Sequence, residues 1–238
     1  MPNDILFLVL AYLVSIISAV FGFGSALIII PFSTFFLPIK EAIALLTIFF
    51  IAGNLSRVVF FWKHIDWKTT KLIWLGNIPM VYIGASLMLK APSEILKVIL
   101  GFIILVFVVN ERFKFTKHIK LNDFGIVAAG GLYGFFAGII GTGSAIKAAL
   151  LTHMRLTKER FIGTMAATAI VANLIKITVY SQSELLSQND IPLALGLVLC
   201  AILGAYTGKH FVKVLHPEFF KKAILIMLLI VSFKLILF

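Results

Sequence analysis

FGFGSALIIIP (residues 21–31) and IGTGSAIKAAL (residues 140–150) set a Gly-x-Gly-Ser turn inside a hydrophobic run, and the chain does it twice. A Gly-x-Gly before a helix can cradle phosphate, but the dinucleotide fingerprint needs a preceding strand and an acidic residue about 20 positions later. The segments before Gly22 and Gly141 read as long apolar helices, so a Rossmann site is set aside.

The surrounding composition explains where such turns sit. The 238 residues are 61% apolar and 13% charged, with a mean hydropathy of +1.09. A soluble domain is nearer half apolar and a quarter charged. Runs such as Ala42–Trp62 and Ile191–Phe211 are long enough to cross a hydrocarbon core of about 30 Å at about 1.5 Å per residue. The expected class is therefore an all-α polytopic membrane protein. The start, MPNDILFLVL, lacks a positive n-region and is not expected to be a removed signal peptide. The single cysteine, Cys200, excludes an internal disulfide or a cysteine-based metal site. The net charge of +11 is read as membrane topology rather than nucleic-acid binding.

A shift of about 119 residues lays the chain on itself. Gly22, Gly24 and Ser25 fall on Gly141, Gly143 and Ser144, and Asn54 and Arg57 fall on Asn173 and Lys176. Gly84-Ala85 matches Gly204-Ala205 and Pro92 matches Pro217, with small gaps. Two repeats, 1–119 and 120–238, are expected within one membrane domain. Each offers the same pieces: Asp4–Val20, Ser25–Leu37, Ala42–Trp62, Leu72–Leu89 and Ile95–Asn110, then Asp123–Ile139, Ser144–Met154, Phe161–Tyr180, Ile191–Phe211 and Phe219–Phe238. The second piece of each half is short. Ser144–Met154 would reach only about 16 Å.

Charge decides how the first two pieces of each half connect. If they form one broken crossing, the loop Lys and Arg divide 8 against 10, which is no bias. If they form a hairpin that turns at the glycines, the halves are inverted and the division becomes 14 against 4. The larger group holds Lys63, Lys68, Lys71, Arg112, Lys114, Lys117, Lys120, Arg155, Lys158, Arg160, Lys209, Lys213, Lys221 and Lys222; the smaller holds Lys40, Lys90, Lys97 and Lys234. The positive-inside rule then favours inverted-topology repeats, each a glycine-tipped hairpin plus three transmembrane helices, with both chain ends outside. Whether the hairpin arms are re-entrant or fully spanning stays open.

Three cations remain at membrane depth: Arg57, Lys147 and Lys176. A charge there costs several kcal/mol, and all ten Asp and Glu lie near loops or span ends, so these cations suggest a water-lined site that meets an anion. Lys147 follows Ser144 by three residues and shares its helix face. The amides that open a helix after Gly141–Thr142–Gly143 carry the positive end of its dipole, and glycine lets a ligand approach the backbone. Ser25 and Ser144 are candidates to cap the arms or to donate a hydroxyl to the ligand. The alternative for the Gly-x-Gly-Ser turns is tight helix packing. Arg57 and Lys176 either bind the anion with Asn54 and Asn173, three residues before each, or snorkel to the nearest interface. Trp62, Trp67 and Trp74 are expected in an interfacial belt. His153 is an interfacial or proton-sensitive histidine. Asn77 and Pro79 mark a kink whose freed backbone groups are candidates to face the pathway.

With both glycine hairpins and the Asn/cation helices in place, the chain resembles the sulfite exporter TauE/SafE family, also described as a toluene-sulfonate uptake group, over essentially its whole length. The resemblance implies movement of sulfur-containing anions such as sulfite, sulfoacetate and other organosulfonates, commonly outward. It places the family's glycine-rich motifs on Gly22, Gly24, Ser25, Gly141, Gly143 and Ser144. Family copies often continue with further glycines where this chain has Ser-Ala, and Pro31 has Leu150 as its counterpart. The departures imply a smaller or more polar pocket.

The function expected is thus transport of a small anion across the cell (inner) membrane by alternating access, with substrate between the tips and with Thr142, Lys147 and their neighbours around it. No enzyme activity, cofactor, metal or nucleic-acid partner is expected, and oligomeric state is not legible. Proton-coupled uptake and an anion channel are the alternatives. A membrane enzyme would need a carboxylate, histidine cluster or cysteine pair at membrane depth, and none is visible.

Overall fold

The structure is a computed structural model, described for residues 2–21, 24–113, 122–154, 156–211 and 217–237. Among these, ten α-helices and two short 3-10 turns occur and no strand. They are α1 (Pro2–Phe21), α2 (Ser25–Ser33), α3 (Ile39–Phe61), α4 (Trp67–Lys90), α5 (Ser93–Phe113), α6 (Asp123–Ile139), α7 (Ser144–His153), α8 (Lys158–Tyr180), α9 (Ile191–Phe211) and α10 (Pro217–Leu237). Six of them, α1, α3, α4, α5, α8 and α9, are long and apolar enough to cross a membrane. Each piece expected from hydropathy is therefore a helix, with ends within three residues of those expected, except that α2 stops at Ser33 instead of Leu37 and α4 begins at Trp67 instead of Leu72.

Where α4, α6 and α8 begin, side-chain oxygens cap the first free amides: Asp66 accepts from Thr69 N–H, Asn122 from Gly125 N–H and Thr157 from Arg160 N–H. These three starts share one end of the molecule. Asp66 lies 3.7 Å from Arg160 and Lys68 lies 3.7 Å from Asp123. Because α6 leaves from that end and α8 begins there, α6 and α7 enter and return on the same side. Lys209, over the Phe60 ring at 4.6 Å, belongs to this end as well. At the opposite end Lys40 Nζ donates to Leu89 O at 2.9 Å, and Lys234 stands over Phe35 at 3.5 Å. Basic residues 114–120, Arg155 and Lys213 lie outside the described residues.

The helices pack in pairs that exchange when the halves are exchanged: α4 with α6 and α9 with α1, α3 with α9 and α8 with α4, while α3 pairs with α8 and α5 with α10. The α4–α6 seam is the closest. A Cβ on Gly84 would enter the Phe135 carbonyl oxygen, and one on Gly138 would stand 2.5 Å from Val81 O. Glycine recurs every fourth residue along α6, at Gly130, Gly134 and Gly138, which lets backbones touch as in other small-residue membrane contacts. At the equivalent positions α1 carries Ala11, Ser15 and Ala19, so only α9 contributes glycine to that seam. Ser15 instead donates to Ala201 O at 2.8 Å. Trp62, Trp67 and Trp74 stack edge-on at 5.0 and 6.3 Å beside the basic turn, as expected of a belt.

Candidate anion-binding site

The two glycine turns meet in the interior. Gly24 takes the left-handed conformation (φ +98°) just before α2, and Gly141 does so (φ +77°) three residues before α7. Neither α2 nor α7 has a side-chain cap. Ser25 and Ser144 open the helices rather than cap them, so the capping expectation is replaced by uncapped turns. In α2 the first amide bonded back to the turn is Ile28 N–H, to Gly24 O. In α7 both Ile146 and Lys147 N–H converge on Gly143 O, leaving the opening amides of Ser144 and Ala145 without a helical acceptor.

Between the tips lies a cavity of about 50 Å³. Gly24, Ser25, Asn54, Arg57, Gly141, Thr142, Gly143, Ser144, Lys147, Asn173 and Lys176 all border it, which brings together every described residue expected at the site. Gly22 lies outside the described residues. Among the described residues no Asp or Glu borders the cavity, and no group of His, Cys, Asp and Glu is arranged to hold a metal.

Each cation is held by neutral oxygens. Arg57, 6% exposed, donates from Nε to Gly53 O at 2.9 Å and from Nη1 to Ser18 Oγ at 2.6 Å. Lys147, 2% exposed, donates to Met165 O at 2.8 Å and Tyr133 OH at 3.2 Å, with its ammonium 4.3 Å from the Tyr133 ring centre. Lys176, 1% exposed, reaches Gly141 O at 3.4 Å. Arg57 and Lys176 are thus enclosed by protein and border the cavity. The donors are not exhausted. An ammonium has three N–H groups; Lys147 has two protein acceptors and Lys176 one. Arg57 Nη2 has no acceptor among the described residues. Asn54 donates to Phe50 O at 2.7 Å, whereas the Asn173 amide makes no hydrogen bond among the described residues and borders the cavity. Unfilled donors from three cations and an amide, together with the Ser25 hydroxyl and helix-opening N–H groups, form a concave cluster suited to an oxyanion.

A sequence profile of the family "Sulfite exporter TauE/SafE" matches residues 7–235. The chain belongs to the sulfite exporter TauE/SafE family. No curated protein and no solved structure matches it. Family membership points to a multi-pass membrane transporter of sulfur-containing anions rather than to an enzyme.

Two polar cavity residues escaped the sequence reading of this TauE/SafE chain: Ser18, which holds Arg57, and Tyr133, which holds Lys147. A signal existed for each. Ser15 and Ser18 are polar in an apolar α1, and Tyr133 interrupts the glycine run of α6. Asn77 does not border the cavity; it is fully buried between helices and donates to Thr168 O at 3.4 Å. The side chain of His153 lies outside the described residues.

Proposed function

We propose that the protein carries sulfite, or an organosulfonate as small as sulfoacetate, out of the cell by alternating access, with the anion bound between the Gly24–Ser25 and Gly141–Ser144 tips. The observation that carries this reading is the convergence of Arg57, Lys147 and Lys176 on one cavity without a carboxylate, in a chain of the TauE/SafE family. An anion is the species that offsets such a cluster. The cavity size favours the smallest candidates. At about 10–15 Å³ per enclosed water on the same measure, 50 Å³ holds roughly three to five water-sized groups, which suits a sulfite of four heavy atoms.

Lys147 and Arg57 supply charge. The free Arg57 Nη2 and the Lys147 ammonium donate hydrogen bonds to sulfonyl oxygens, and the Ser144 and Ala145 amides add uncharged donors aligned with the α7 dipole. Glycine at the tips keeps side chains out of the anion's place. The halves are read as inverted repeats, 1–119 and 120–238, which rock against each other around the site. The exchangeable helix pairs and the 14-to-4 division of basic residues support that reading, with the basic end cytoplasmic, the chain in the cell (inner) membrane and both termini outside. Outward movement then runs with the field: each negative charge leaving a negative interior gains about 2.3 kcal/mol per 100 mV.

Purified protein in liposomes tests this. Sulfite efflux is expected to saturate with concentration, to be competed by sulfoacetate, and to accelerate when the interior is made negative. Sulfite flux indistinguishable from empty liposomes overturns the proposal. Non-saturating current in its place indicates a channel.

A further inference from the structure

The two helix seams that flank the cavity are related by the repeat, yet their chemistry differs. In the α4–α8 seam, Lys147 Nζ and Thr168 Oγ1 share one acceptor, Met165 O, at 2.8 and 3.0 Å. Thr168 Oγ1 also donates to Thr164 O at 2.8 Å, and Asn77 Nδ2 reaches Thr168 O at 3.4 Å. Thr164 Oγ1 in turn accepts from Asp66 N–H at 3.0 Å, and Asp66 pairs with Arg160 at the basic end. A polar chain thus runs from the cavity lysine to the surface. Asn77, Thr164 and Thr168 are all fully buried, and Asn77 Oδ1 has no hydrogen-bond partner among the described residues.

Across the repeat, Thr164 and Thr168 correspond to Leu45 and Phe49, and Asn77 to Leu197. These three lie together in one apolar core, at most 2% exposed. Thr47 is the polar residue of α3 at this level, and its hydroxyl is bonded back to Ile43 O. The seam toward the opposite end is therefore closed by hydrocarbon.

We infer that the α4–α8 seam, lined by Asn77, Thr164 and Thr168, is the route by which the cavity opens to the basic end of the molecule. Separating α4 from α8 exposes hydroxyl and amide groups that water solvates, and it gives the orphaned Asn77 Oδ1 a donor. Separating α3 from α9 exposes Leu45, Phe49 and Leu197 instead, which is costlier by the hydrophobic effect. The cavity accordingly opens more readily toward the basic end than toward the other. This rests on the transport reading, but its test does not require the substrate.

In a Cys200→Ser background, Thr164→Cys and Thr168→Cys are treated with a membrane-impermeant methanethiosulfonate, alongside Leu45→Cys and Phe49→Cys. Vesicles of both orientations give the side of access. Both threonine positions are expected to react from the basic end, at least about tenfold faster than their counterparts, since exposing the apolar seam costs more. Reaction no faster than at Leu45→Cys and Phe49→Cys, or reaction only from the opposite end, overturns the route. Thr164→Cys decides the matter alone if Thr168→Cys does not fold. A labelled seam in a protein without sulfite flux refutes the transport reading and keeps the route. An unlabelled seam in a protein with normal flux refutes the route alone.

Discussion

The two glycine tips share a sequence pattern and differ in how firmly they are held. At the first, a Cβ added to Gly24 would meet nothing within 4 Å, and no side chain of the tip is bonded across to another helix among the described residues. At the second, a Cβ on Gly143 would enter the Tyr133 carbonyl oxygen, and one on Gly141 would stand 2.8 Å from Ile30 Cδ1. Thr142 and Ser144 hydroxyls lie 3.1 Å apart, Lys176 holds Gly141 O, and Lys147 is anchored on Tyr133 and Met165. The helix seams behind them differ in the same sense, since α6 meets α4 glycine to glycine while Gly204 and Gly208 of α9 meet Ser15 and Ala19 of α1. On the proposed repeat the two tips occupy equivalent places, one as a fixed, charged wall and the other as an open one. An anion site needs one preorganised wall to fix orientation, and a carrier needs the other to yield.

The largest expected effect is on the fixed wall. Lys147→Ala removes its ammonium and the hydrogen bonds it gives to Tyr133 OH and Met165 O; sulfite flux at subsaturating concentration should fall by about 10–100-fold, the value of a charged hydrogen bond. Ser25→Ala on the open wall should cost less than about tenfold in the same assay. Equal losses would erase the distinction between the tips.

Backbone substitutions come next. Gly143→Ala places a methyl on the Tyr133 backbone and should destabilise the protein by about 1–3 kcal/mol, read as a lower melting temperature in detergent. Gly24→Ala meets open space and bears only the strain of a positive φ, about 1–2 kcal/mol. A Gly24→Ala protein less stable than Gly143→Ala would reverse the comparison.

The seams give a smaller contrast. Gly134→Ala drives a Cβ to 2.6 Å from both Asn77 O and Oδ1, at a cost of about 1–3 kcal/mol. Its counterpart Ser15→Ala loses one bond to Ala201 O, about 1 kcal/mol. Smallest of all is Arg160→Ala. Its partner Asp66 is 3.7 Å away and Arg160 is half exposed, so the loss should stay below about 1 kcal/mol.

Much of this was legible in the sequence because a bilayer leaves few choices. Apolar runs mark the helices, and cations in apolar runs mark residues that the fold brings to one cavity. What was not legible needed the third dimension. Distance along the chain does not give depth: Lys176 is one turn from the end of α8, yet it is buried because the second tip folds over it. The partners of the cations, Ser18 and Tyr133, come from neighbouring helices whose pairing no single-helix pattern announces. The sequence places Asn77 beside a proline kink but does not show its side-chain partner: Asn77 bridges α4 to Thr168 and does not border the cavity. The packing reading of the glycines and their binding reading also proved compatible, since Gly141 both contacts Ile30 and borders the cavity.

Selenite, a pyramidal oxyanion shaped like sulfite, offers the most direct test of the anion's place. Anomalous diffraction from crystals grown with selenite is predicted to locate one selenium between the two tips, within hydrogen-bond reach of Lys147 Nζ and closer to the second tip than to the first. Selenium found only outside the cavity would contradict the assignment, as would a cavity that binds selenite equally well in Lys147→Ala.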